Sequence, residues 1–143
     1  MIRARLSKGL RLGNMKIRTL FDDEKEKMAN SSCCYCGSGD NLSIDHLLPR
    51  KRGGSDSGDN LILACQHCNS SKNMKDMLEW FLAREQFPPI AVFRRYLKLL
   101  SRYCDEHDLW NVDLSNERIT SCPYSVRCLP VAFPSPDTLA YAP

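Results

Sequence analysis

No apolar stretch of this sequence reaches the roughly 18 residues that a helix needs to cross a bilayer, so nothing in it reads as a membrane span. An export core is missing as well, because the apolar residues between Met1 and Arg18 stand singly among cations instead of forming a run. These absences predict an intracellular protein, cytoplasmic or nucleoid-associated, without a signal peptide, a transmembrane segment or a membrane partner. No internal repeat occurs, and 143 residues suit one compact core with tails. No acidic residue precedes Asp22, whereas Arg3, Arg5, Lys8, Arg11, Lys16 and Arg18 all do. The modest net charge of +3 therefore hides a local basic excess. Such a segment suits a phosphate backbone, and equally a solubilising tail.

Eight cysteines are present, yet without an export signal they do not suggest a secreted disulfide framework. Four fall into two C-x-x-C pairs, Cys33 with Cys36 and Cys65 with Cys68. Zinc accepts four thiolates at tetrahedral corners, and each pair can occupy one edge of such a site. Gly37 supplies the tight turn that the first pair needs. Cys34 adjoins Cys33 but leaves a single residue before Cys36, so its role stays open. Cys122 and Cys128 have no histidine nearby, and they and Cys104 are expected to be structural or incidental thiols. A redox use of the pairs would require one free of metal, usually in a βαβ setting, and no such pattern is found.

Residues 1–30 read as a basic arm with a short helix over Asp22–Asn30. Residues 31–86 carry a predicted hairpin and helix. A strand over Asn41–Leu48 is stopped by Pro49, a long loop follows over Arg50–Asp59, and a return strand covers Asn60–Ala64. Met74, Met77, Leu78, Phe81 and Leu82 then fall at helical spacing, predicting one amphipathic helix capped by Ser70 or Ser71. After Pro88–Pro89, residues 87–110 carry a second stripe, Phe93, Tyr96, Leu97, Leu100 and Cys104, which predicts a packing helix. From Asn111 to residue 143 no period is visible, and a loosely ordered tail is expected. The fold class is α+β: a small ββα-metal finger clamped by the cysteine site, with additional flanking helices.

Asp45 and His46 end the first predicted strand, Asn60 opens the second, and Asn69 follows the last paired cysteine. Hydrolysis of a phosphodiester needs a base for water, a cation for the charge that develops, and a group that orients the base. An imidazole accepts a proton near neutral pH, and carboxylate and amide oxygens suit Mg²⁺. Adjacent strand residues point to opposite faces, so Asp45 and His46 converge only at a bulge or a strand end.

C-x-x-C-G, then I-D-H-L-L-P-R-x-R-G-G, then D-N-L-x-x-A-C-x-x-C-N-x-x-K together resemble the HNH endonuclease family over residues 33–72. The resemblance implies a ββα-metal fold in which His46 activates water, one divalent cation sits on Asp45 and Asn69, and Asn60 orders the loop and orients the histidine. Asparagine rather than histidine at the last motif position favours Mg²⁺ or Mn²⁺ over softer ions. The implied activity is hydrolysis of DNA. The rival reading is a non-catalytic zinc-stabilised module that binds nucleic acid or a protein. Arg50, Lys51, Arg52 and Lys72 surround the place expected for a phosphate. Arg94, Lys98 and Arg102 read as a charged outer helix face, and His67 as an exposed knuckle residue. Sequence specificity, duplex or single-stranded preference, biological setting and oligomeric state have no signature among these residues.

Overall fold

The computed structural model describes residues 31–113 and 115–129. The basic arm and helix expected over 1–30, and the end of the expected tail over 130–143, lie outside the described residues.

The hairpin consists of β1 (Leu42–His46) and β2 (Leu61–Cys65), antiparallel, with Leu42 opposite Cys65 and His46 opposite Leu61. Leu47 N–H makes one further bond, to Asn60 O at 2.8 Å, before Pro49 ends the strand. Between the strands run two 3₁₀ turns, Arg50–Arg52 and Gly58–Asn60. Gly54 lies so close to β1's exit that a Cβ there would sit 1.8 Å from Leu48 O, so only glycine lets the loop fold back on itself.

The helix expected to begin at Ser70 or Ser71 and run through Leu82 is instead two helices, α1 (Gln66–Lys72) and α2 (Met77–Ala83). The start is earlier because the second cysteine pair must coil at once for its two thiols to turn the same way. Cys65 caps α1, its Sγ accepting from Cys68 N–H at 3.4 Å. The break follows from Asn73, at φ 51°, and from Asp76, whose carboxylate caps α2 by accepting from Leu78 N–H at 2.8 Å. Met74 falls in the gap and Leu82 on the outer face, 45% and 62% exposed, so α2 buries Met77, Leu78, Trp80 and Phe81 instead.

α3 (Ile90–His107) follows Pro89 and buries the expected stripe of Phe93, Tyr96, Leu97, Leu100 and Cys104. Arg94 departs from the charged-face reading, being buried at 7% exposure. Residues 115–129 are not loosely ordered. From α4 (Glu117–Thr120) onward the chain lays Ile119, Tyr124, Val126 and Leu129 into the same core as α2 and α3. A segment buried one side chain at a time leaves no periodicity to read.

Asp76 joins these layers. It is 1% exposed, and its Oδ2 accepts from Tyr96 O–H at 2.6 Å and from Ser125 N–H at 3.2 Å. Asp76→Ala removes a helix cap and strips these buried donors of their acceptor. The expected cost is about 2–4 kcal/mol, read as a lowered urea midpoint at fixed zinc. A loss below about 1 kcal/mol would mean that solvent or neighbours replace the carboxylate freely.

Candidate active site and metal centre

The sulfurs of Cys33, Cys36, Cys65 and Cys68 all lie within 4.8 Å of one another, and Cys36 and Cys65 are 3.7 Å apart. A zinc tetrahedron with bonds of about 2.3 Å has sulfur–sulfur edges of about 3.8 Å, so this donor set fits a zinc ion. The first knuckle turns at Gly37, at φ 81°, whose N–H bonds Cys33 O at 2.8 Å. Burial pushes the Cys68 thiol upward, and a dication reverses that tendency by holding thiolates. Cys34 lies outside the cluster, buried, with its N–H on Leu63 O at 2.9 Å. Cys104 and Cys122 are buried too, and burial pushes Cys104 up to about 12, the condition of an inert thiol.

β1 keeps regular register through its last residue, with no bulge at Asp45 or His46. The two side chains therefore leave on opposite faces. Asp45 is buried, and its Oδ2 accepts from Tyr35 O–H at 2.9 Å and faces Lys72 Nζ at 3.7 Å. Its Oδ1 receives no hydrogen bond from the described residues. Asn69, on α1, donates from Nδ2 to Ser43 Oγ at 3.4 Å. Ser43 shares Asp45's face of β1, so the two expected cation ligands stand on the same side of the hairpin. A carboxylate and an amide oxygen fit a hard dication that retains several waters.

The structure does not join His46 to Asp45. The imidazole leaves the strand end for the loop, where Nε2 pairs with Asp56 Oδ1 at 2.7 Å, itself 3.4 Å from Arg50 Nε. The hydrogen bond from His46 first, and then the Arg50 charge, hold the Asp56 carboxyl below its ordinary range. Asn60 is 2% exposed and staples the loop: Oδ1 accepts from Leu48 N–H at 2.8 Å, and Nδ2 donates to Leu48 O at 3.0 Å and Ser55 O at 2.8 Å. Those bonds fix the backbone on both sides of the segment that carries Arg50–Arg52.

Of the four expected phosphate contacts, Lys72 must be corrected. It is 0% exposed, facing Asp45 and donating to His46 O at 3.4 Å, because a buried carboxylate opposite draws the ammonium inward. Arg52 is half-buried and bonds Pro123 O at 2.9 Å, which ties the loop to the C-terminal segment. Lys51 and Arg50 are exposed. The loop has a second anchor in Asp59, gripped by Arg95 at 3.0 Å and Arg102 at 2.8 Å. Arg102's hydrogen bond is the main reason that the Asp59 carboxyl sits below its usual range. Tyr35, Asp56 and Asp59 were given no role from the sequence, although Asp59 stands in the D-N-L motif. Tyr35's place inside C-x-x-C was a further signal, whereas Asp56 looks like an ordinary loop residue.

The HNH endonuclease family model matches residues 33–75. Among curated proteins, the CRISPR-associated endonuclease Cas9 of Corynebacterium diphtheriae is 36% identical over 55 residues, which is 36% of this chain and 5% of that protein. The chain thus corresponds to a small part of that relative's length. The matched stretch opens on Cys33 and includes both cysteine pairs, the hairpin and all of α1. Residues 33–75 thus match the HNH endonuclease family model, and the structure there is a ββα unit whose four cysteines could hold a metal such as zinc.

Proposed function

We propose that the chain hydrolyses DNA phosphodiester bonds, with zinc on Cys33, Cys36, Cys65 and Cys68 as a structural ion and one Mg²⁺ or Mn²⁺ held by Asp45 and Asn69. The observation that carries this reading is the placement of two oxygen donors, Asp45 and Asn69, on one face of the hairpin within the stretch that matches the family model. When bound, the divalent ion supplies charge stabilisation at the phosphate.

The protein's own groups have distinct tasks in this reading. His46 accepts the proton of the attacking water. With Nε2 engaged by Asp56, Nδ1 is the ring nitrogen left for that proton. Asn60 keeps the loop backbone in place behind His46. Lys72 offsets the Asp45 charge from inside the fold. Arg50 and Lys51 meet the nucleic-acid backbone, and Arg52 holds their loop to the C-terminal segment.

The test uses protein of verified zinc content with supercoiled plasmid and with single-stranded DNA, with and without added Mg²⁺ or Mn²⁺. Cleavage should require the added ion. Asp45→Ala and Asn69→Ala should lose cleavage and regain part of it at higher Mn²⁺, because mass action offsets a weakened binding equilibrium. Zinc-loaded protein that cuts neither substrate with either ion, yet binds DNA as well with His46 replaced as without, would support the binding module instead.

A further inference from the structure

Tyr35 lies between the two cysteines of the first pair and is 4% exposed. Its backbone faces the cluster, with N–H to Cys33 Sγ at 3.4 Å, and its side chain faces the candidate active site, with O–H to Asp45 Oδ2 at 2.9 Å. The ring is fixed edge-on to Trp80 at 5.2 Å between centroids and tilted against Phe81 at 6.1 Å. A phenol holds its proton at neutral pH, so the hydroxyl acts here as a donor to the carboxylate.

Among the described residues, the cation beside Asp45 Oδ2 is Lys72, at 3.7 Å. With the phenol in place, the carboxylate is held by a neutral donor and the ammonium stays beyond close hydrogen-bond range. Without it, the carboxylate is free to close on Lys72, and a tight ion pair would compete with a dication for the same oxygens.

We propose that Tyr35 is a positioning residue that transmits the geometry of the cysteine cluster to Asp45, so that an intact cluster sets the affinity of the second, hard-cation site. The inference rests on the reading of Asp45 as a ligand of that cation. Hydrogen-bond partners of metal ligands typically govern affinity by 10–100-fold, and a single neutral donor belongs at the low end, about tenfold.

The experiment measures Mn²⁺ binding to the full zinc-loaded chain by the electron paramagnetic resonance of the free ion, for wild type, Tyr35→Phe, Trp80→Phe and Asp45→Asn. Tyr35→Phe retains the ring, so zinc content should be unchanged while the Mn²⁺ dissociation constant rises about tenfold. The half-saturating Mn²⁺ concentration for cleavage should rise by the same factor. Trp80→Phe disturbs the packing around the same ring without touching the hydroxyl, and should bind Mn²⁺ as wild type does. Wild-type affinity in Tyr35→Phe, or an equal loss in Trp80→Phe, overturns the proposal while leaving the reading of Asp45 intact. Asp45→Asn binding Mn²⁺ as tightly as wild type, or wild type binding none, overturns that reading and the proposal with it.

Discussion

His46→Ala is expected to lower cleavage by roughly two to four orders of magnitude, the usual contribution of a general base, while leaving zinc content and DNA affinity in place. The side chain is 23% exposed and its one hydrogen bond among the described residues is to the exposed Asp56, so removing it should cost little stability, within about 0.5 kcal/mol. Thermal midpoints of wild type and variant should therefore nearly coincide. The variant also separates the tasks assigned to neighbouring residues. Raising Mn²⁺ should partly restore Asp45→Ala and Asn69→Ala, whereas no concentration of ion replaces a missing proton acceptor. Cleavage by His46→Ala within a few-fold of wild type would remove His46 from the chemistry.

Cys65→Ser should have the broader effect, abolishing zinc binding, hairpin structure and cleavage together. Cys65 contributes one sulfur to the four-thiol cluster at the junction of β2 and α1, so losing its thiolate unties the cluster where strand and helix meet, even though the serine hydroxyl can still cap α1. Structural zinc in small fingers contributes about 10–16 kcal/mol, as much as the whole stability of about 5–15 kcal/mol typical of a domain. The loss should nevertheless be regional. α2 and α3 pack through Met77, Trp80, Phe93, Tyr96 and Leu100, none of which is a cluster ligand. Circular dichroism should keep much of its helical signal while amide protection disappears from 42–46 and 61–65. Well-folded, active protein that contains no zinc would refute the assignment.

The parts of this molecule that depend on local spacing were legible in the sequence. Two C-x-x-C pairs announce a four-thiol cluster because each pair is complete within four positions, and α3's apolar stripe lies within one uninterrupted helix. A strand end was one of the two ways expected to let Asp45 and His46 converge, but the regular register through His46 sends them to opposite faces. Features that depend on pairing across the fold were hidden. Periodicity alone does not distinguish one long helix from α1 and α2 separated by about one helical turn, since such a gap nearly preserves the phase. Lys72 looked like a solvent-facing cation because the residue that buries it, Asp45, comes from a different element. Asp59 opens the D-N-L motif and Asp56 stands in none, yet nothing local says that Asp56 holds an imidazole and Asp59 two arginines of α3.

That last contact has a consequence for how the matched segment can be moved between proteins. The family match stops at residue 75, but the loop inside it is moored from outside, by Arg95 and Arg102 on Asp59 and by the Pro123 carbonyl on Arg52. The stretch that is recognisable as a shared sequence is therefore smaller than the body that holds its shape. Grafted alone onto another scaffold, the matched stretch would carry its chemistry but leave its moorings behind, and a host would have to supply cations against Asp59 and an acceptor for Arg52. Inheritance and mechanical integrity draw different borders around the same hairpin.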